Sequence, residues 1–160
     1  MKKKLSIFIF ILCFTVSSFR SQNIHANETP LLSTIYNEDG SYIIIDTTEY
    51  SPIFSLINSR SSYSKTVSKT FTFYGSDDIA AWDVVLTATF TYDNITSQCT
   101  ASSAVYHIYD NSWSCTSLTS GKAGNAAWAD FAFVQKILFI TYNTYTGSVS
   151  ISCSANGTIS

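Results

Sequence analysis

The sequence predicts an all-β chain, and three observations carry that prediction. From residue 66 onward, stretches rich in Val, Ile, Thr, Phe and Tyr alternate between apolar and polar residues with period two. Turn signals built on Asp, Asn and Gly separate these stretches, and no segment shows heptads or a sustained helical period. About eight strands joined by hairpin turns in roughly 130 residues fit an antiparallel β-sandwich of immunoglobulin-like type with 7–8 strands, a closed barrel being the alternative.

The elements follow in order. Residues 34–36 and 41–46 flank Asn37-Glu38-Asp39-Gly40 as a hairpin, and 47–64, with Pro52, Arg60 and little alternation, reads as a linker. Val67, Phe71 and Phe73 begin the main sheet. In the next strand Trp82, Val84, Leu86, Ala88, Phe90 and Tyr92 alternate with Val85, Thr87, Thr89 and Thr91. Turn signals at Asp93-Asn94 and Asp110-Asn111, and a looser turn at 120–125, bound strands at 97–109, 112–119 and 126–136. The last strand, 141–155, contains the cleanest alternation, with Val149, Ile151 and Cys153 opposite serines. The domain organisation expected is therefore 1–26 as a signal peptide, 27–64 as N-terminal hairpin and linker, and 65–160 as the sandwich.

The signal reading rests on Lys2, Lys3 and Lys4, an apolar run from 5 to 16, and a polar stretch ending Ile24-His25-Ala26. The run is too short for the roughly 20 residues of a spanning helix, so cleavage after Ala26 and an extracellular, secreted product without a membrane span are expected. Of the chain's nine Lys and Arg, four (Lys2, Lys3, Lys4, Arg20) leave with that segment. Five basic residues then face eleven acidic ones, a net of −6. Nucleic acid and anionic surfaces need a basic footprint, which this balance excludes. A charged fraction of 12% beside 46% hydrophobic residues also excludes disorder by composition.

Taken in order, Asp39-Gly40-Ser41-Tyr42, the run 69–74, Trp82 leading into 87–92, Ser120 to Asn125, and Cys153 with Asn156-Gly157 resemble a group of small secreted proteins of Gram-positive bacteria. The resemblance covers nearly the whole mature chain and implies an exported β-protein, without a reaction.

Candidate chemistry is sparse. His107 is the sole histidine once His25 is removed, and no nucleophile turn accompanies it, so a packing or surface role is expected and no catalytic residue is assigned. Asp77, Asp78, Asp83 and Asp130 could form a carboxylate pair, yet all except Asp130 lie in or beside turns, where Asp serves the backbone. The segments 37–40 and 77–78 offer oxygens without the spaced ligands of a calcium loop, and one His cannot supply a zinc cluster; no metal or cofactor is assigned. Aromatic side chains are more informative. Seven Phe, ten Tyr and three Trp remain after the signal, more hydroxyls than a core of this size takes in. Tyr106, Tyr109 and Trp113 cluster at the Asp110 turn, and Tyr142 and Tyr145 at another, as a candidate binding surface for a glycan or a protein. The expected function is a secreted, non-enzymatic binding module; the alternative is an exported effector or antimicrobial-type protein acting on other cells.

Of the four cysteines, Cys13 leaves with the signal, and Cys99, Cys115 and Cys153 remain as an odd number for an oxidising compartment. A two-residue Asp93-Asn94 turn would set Cys99 opposite Ala88, Ala101 opposite Leu86 and Val105 opposite Trp82, with Cys99 and Cys153 both pointing inward. A two-residue Asp110-Asn111 hairpin would set Cys115 opposite Tyr106, away from the core and about 25 Å out of register with Cys99; a three-residue turn would reverse its face. A Cys99–Cys153 disulfide with Cys115 unpaired is the expectation.

Overall fold

The computed structural model describes residues 31–50 and 62–160. The expected signal segment and the middle of the expected linker lie outside the described residues. Within them the chain is all-β, with eight strands in two antiparallel sheets. The larger sheet has the order β1 (Leu31–Tyr36), β2 (Tyr42–Tyr50), β3 (Tyr63–Tyr74), β4 (Ala80–Tyr92), β5 (Ser97–Ile108). The smaller has β6 (Trp113–Ala123), β7 (Ala126–Ile137) and β8 (Ile140–Ser152). The sandwich is as expected, but each sheet is a simple meander: neighbours in sequence are neighbours in space, without the crossed connections of an immunoglobulin Greek key. Residues 47–50 and 63–64, expected in the linker, complete β2 and β3. The N-terminal hairpin adds directly to the main sheet, since β2 pairs along β3 from Tyr42↔Tyr74 to Tyr50↔Thr66.

The core lies where β3, β4 and β5 face β6, β7 and β8, and its centre is aromatic. Trp82 is wholly buried, stacked on Phe133 at 4.0 Å, with Phe71 and Phe73 alongside and Trp113 and Phe131 edge-on. Val67, Val84, Leu86, Phe90 and Ile151 fill the remainder as the inward members of their alternations. Burial of such side chains, each worth about 1.5–3 kcal/mol, is what holds a sandwich of this low charge together.

Bulges set the register, and they correct the sequence reading. The loop after β4 spans four residues, 93–96, with Asp93 Oδ1 accepting from the backbone of Ile95 and Thr96, so Cys99 pairs with Phe90 rather than Ala88. An extra residue, Thr100, then shifts the pairing, and its hydroxyl donates to the Thr89 carbonyl. Beyond that bulge Ala101 opposes Thr89 and Val105 opposes Val85, so both face out, and Val105 is 53% exposed. Asp110-Asn111 is not a hairpin turn but the crossover between sheets. Cys115 accordingly opposes Phe133, not Tyr106, and is half-buried against the core.

Among the described residues Cys99, Cys115 and Cys153 are free thiols, which overturns the expected Cys99–Cys153 bridge. Both are buried as expected, but each thiol turns to a carbonyl of its own strand or tail: Cys99 Sγ to Ala101 O at 3.2 Å, Cys153 Sγ to Ser154 O at 3.4 Å. Burial raises the thiol pKa of Cys99 and of Cys115, holding both in the unreactive protonated form at neutral pH.

Candidate functional site

The two ends of the sandwich carry different loops. At one end stand the β1–β2 loop (37–41), the β3–β4 loop (75–79), the crossover (109–112) and the β7–β8 hairpin. Two bulges shape the space between them. Ala81 is extra in β4, and its carbonyl accepts from the backbone N–H of both Tyr109 and Asp110, at 2.9 and 3.0 Å, pinning the crossover to the larger sheet. Tyr142 is extra in β8, between Gln135↔Asn143 and Lys136↔Thr141, which turns its ring out of the ladder.

The result is a cleft of about 770 Å³ whose lining includes Asp39, Asp77, Tyr109, Trp113, Tyr142 and Asn143. Each loop is braced by its own polar groups. Asp39 Oδ1 accepts from Ser41 N (3.0 Å) and Ser41 Oγ (2.6 Å), and the Ser41 hydroxyl bond is the main reason its carboxyl pKa is lowered. Asp110 takes Ser112 N and Oγ, one on each oxygen, both at 2.8 Å. Gln135 Nε2, on β7, donates at 3.2 Å to the Oγ of Ser112, which directly precedes the neighbouring strand β6. Among the described residues no Lys or Arg lines the cleft, whereas Asp39, Asp77 and Asp110 do, so their field favours neutral or cationic ligands over anions.

The five expected surface aromatics divide. Tyr109 and Tyr142 are exposed cleft walls at 56% and 73%, while Trp113 is a buried floor, packed edge-on to Phe73 and Trp82. Tyr106 and Tyr145 do not line the cleft. Tyr106 meets Phe133 edge-on, and Tyr145 is half-buried among Phe71, Phe73, Trp82 and Phe131, where burial raises its phenol pKa.

One constellation escaped the sequence reading. Asp83, buried on β4, accepts from the Tyr109 hydroxyl at 2.6 Å and contacts His107 Nδ1 at 2.7 Å, with the His107 backbone N–H at 3.2 Å. Hydrogen bonding to Asp83, then burial, pushes the Tyr109 phenol up to about 12. His107 therefore has a partner, and Asp83 fixes both rings beside the cleft. Among the described residues no Ser, Thr or Cys side chain hydrogen-bonds to His107. The pairing Asp83↔His107 follows from the four-residue loop plus the Thr100 bulge; a two-residue turn would have set His107 against Ala80.

A row of tyrosines also went unread. Tyr36, Tyr42 and Tyr74 are directly opposed on the outer face of the larger sheet, Tyr42 and Tyr74 stacked at 4.8 Å. Desolvation and then the Asp78 carboxylate raise the Tyr42 phenol. Asp39 and Asp77 face one cleft from two loops, yet among the described residues no three His, Cys, Asp or Glu are grouped to hold a metal ion. No protein-family model, curated protein or solved structure matches the chain.

Proposed function

We propose that the chain is an exported, non-enzymatic module that binds a neutral glycan in this cleft. The observation that carries the reading is the pairing of two exposed aromatic walls, Tyr109 and Tyr142, with carboxylate and amide groups at Asp39, Asp77 and Asn143. Sugar rings present apolar C–H faces to aromatic rings and hydroxyls to such acceptors and donors. Three further features support it. The volume lies within the roughly 300–1,000 Å³ typical of small-molecule sites. The three Asp of the lining, with no Lys or Arg beside them among the described residues, disfavour acidic sugars and phosphates. Asp83 holds the Tyr109 ring from behind, which lowers the entropy lost when a ligand stacks on it. Export is supported by the sequence of residues 1–26.

The test is a glycan array probed with the secreted protein, followed by calorimetry on the best neutral oligosaccharide. Saturable binding that falls about tenfold in Tyr142→Ala, with unfolding unchanged, is expected. Absence of glycan binding, or equal binding by Tyr142→Ala, would refute the reading.

A further inference from the structure

The β7–β8 hairpin ends in a turn whose chemistry contradicts its geometry. Leu138 and Phe139 are its two central residues, at φ +49° and +69°. Both lie in the left-handed region, which Asn, Asp and Gly occupy at little cost and bulky side chains do not. Exposure runs the wrong way as well: Phe139 is 100% exposed, Leu138 86%, Ile140 72%. Four consecutive apolar residues, 137–140, form the apex, and the nearest charge is Lys136 at its base, with Tyr142 two residues beyond Ile140. Folding alone gains nothing from this arrangement, which carries both backbone strain and unburied apolar surface.

We propose that this hairpin tip inserts into the interfacial zone of a lipid bilayer. A convex apolar apex suits lipid, which closes around any protrusion, whereas a protein partner would have to supply a matching pocket. The dimensions agree: strand rise puts Lys136, two residues before Leu138, about 7 Å and Tyr142, three residues after Phe139, about 10 Å from the two central residues, within the 5–10 Å that interfacial segments sink. There the Lys136 ammonium reaches the phosphate level, and the Tyr142 ring takes the amphipathic position that tyrosine favours at a membrane surface. Charge selects the lipid. The described residues carry four Lys (65, 69, 122, 136) against ten Asp and Glu, so attraction to anionic headgroups contributes nothing, and zwitterionic lipid suffices. Tyr142 also lines the cleft, so a seated tip holds the cleft mouth at headgroup height.

The experiment is co-flotation of the purified protein with phosphatidylcholine vesicles, which carry no glycan and so report on the tip independently of the cleft. Wild type is expected to float with the vesicles, equally at 0.1 and 0.5 M salt, and added phosphatidylglycerol is not expected to strengthen binding. Leu138→Asn combined with Phe139→Gly, a turn-compatible pair, is expected to lower the partition about tenfold or more while raising the unfolding temperature. Phe139→Trp provides a second readout: its emission shifts to the blue on vesicle addition, beyond any change in wild type. Three results would overturn the proposal: no flotation of wild type, equal flotation of the double variant, or flotation only with anionic lipid and only at low salt. Concentration-dependent dimers that the double variant abolishes, without vesicle binding, would assign the tip to a second copy of the chain instead.

Discussion

At the end of the sandwich holding the 93–96 and 124–125 turns, the chain is laced shut by its own backbone. Asn94 N–H donates to Ala155 O, Cys99 N–H to Gly124 O and Cys153 N–H to Asn125 O, all within 3.0 Å, while Ser97 Oγ and Asn125 Nδ2 share the Cys153 carbonyl. Lys65 and Lys69 reach from β3 to the Gly157 and Ser150 carbonyls, covering the flank of β8. At the opposite end the crossover is held to β4 by the Ala81 carbonyl, the 37–41 loop is braced by its own Asp39, and a cleft is left between them. The two turns of β7 show the contrast most sharply. Gly124-Asn125 places a glycine at its positive φ, +55°; Leu138-Phe139 places two large apolar residues at theirs. One end thus follows local backbone preference, and the other departs from it at Leu138 and Phe139, beside the cleft proposed to bind a ligand.

The largest expected effect breaks the closed end. Gly157 sits at φ +85°, and a Cβ there would lie 2.5 Å from the Tyr92 ring. Gly157→Ala is expected to destabilise by about 2–4 kcal/mol, through the left-handed backbone and the displaced ring, and to leave glycan affinity unchanged. Urea denaturation paired with calorimetry checks both halves.

A change of opposite sign is expected at the open end. Leu138→Asn with Phe139→Gly is expected to stabilise by about 1–2 kcal/mol, since the strain is relieved and no buried contact is lost. Thermal unfolding of the soluble protein measures it. Smaller still, Tyr142→Ala is expected to move stability by less than about 0.5 kcal/mol, because the side chain is 73% exposed and unpaired in the ladder, even though glycan affinity drops.

How much of this contrast could be read from the sequence depends on which residues carry it. The strand positions were legible because Val, Ile and Phe alternate with Thr and Ser from Val67 to Cys153, and the inward placement of Cys153 followed from that period; Cys99 is inward too, but opposite Phe90 and not the Ala88 that a two-residue turn implied. Sheet assignment was not, because Asp110 caps Ser112 in a crossover with the same chemistry it would use in a hairpin. Thr100 and Thr116 gave no sign of being extra residues, yet each shifts the pairing after it; that is why Val105 faces out and Asp83 meets His107. The aromatics near turns were found, but side-chain type does not distinguish a cleft wall such as Tyr142 from a core ring such as Tyr145.

A pH-dependent effect lies in the support behind the cleft. Tyr109's phenol is raised to about 12 from the ordinary value of 10, so its bond to Asp83 is fully present below pH 10 and is lost as pH rises through 12. Wild type is expected to lose more thermal stability between pH 10 and 12 than Tyr109→Phe does, with the two curves parallel below pH 9.

The most direct measurement of the division between ends is an amide NMR titration of the protein with the neutral oligosaccharide that binds best. The expected shifts cluster at 39–41, 75–79, 109–113 and 142–143, leaving 93–99, 124–125 and 153–160 unmoved. Shifts centred on the closed end, or spread evenly over both, would contradict the account.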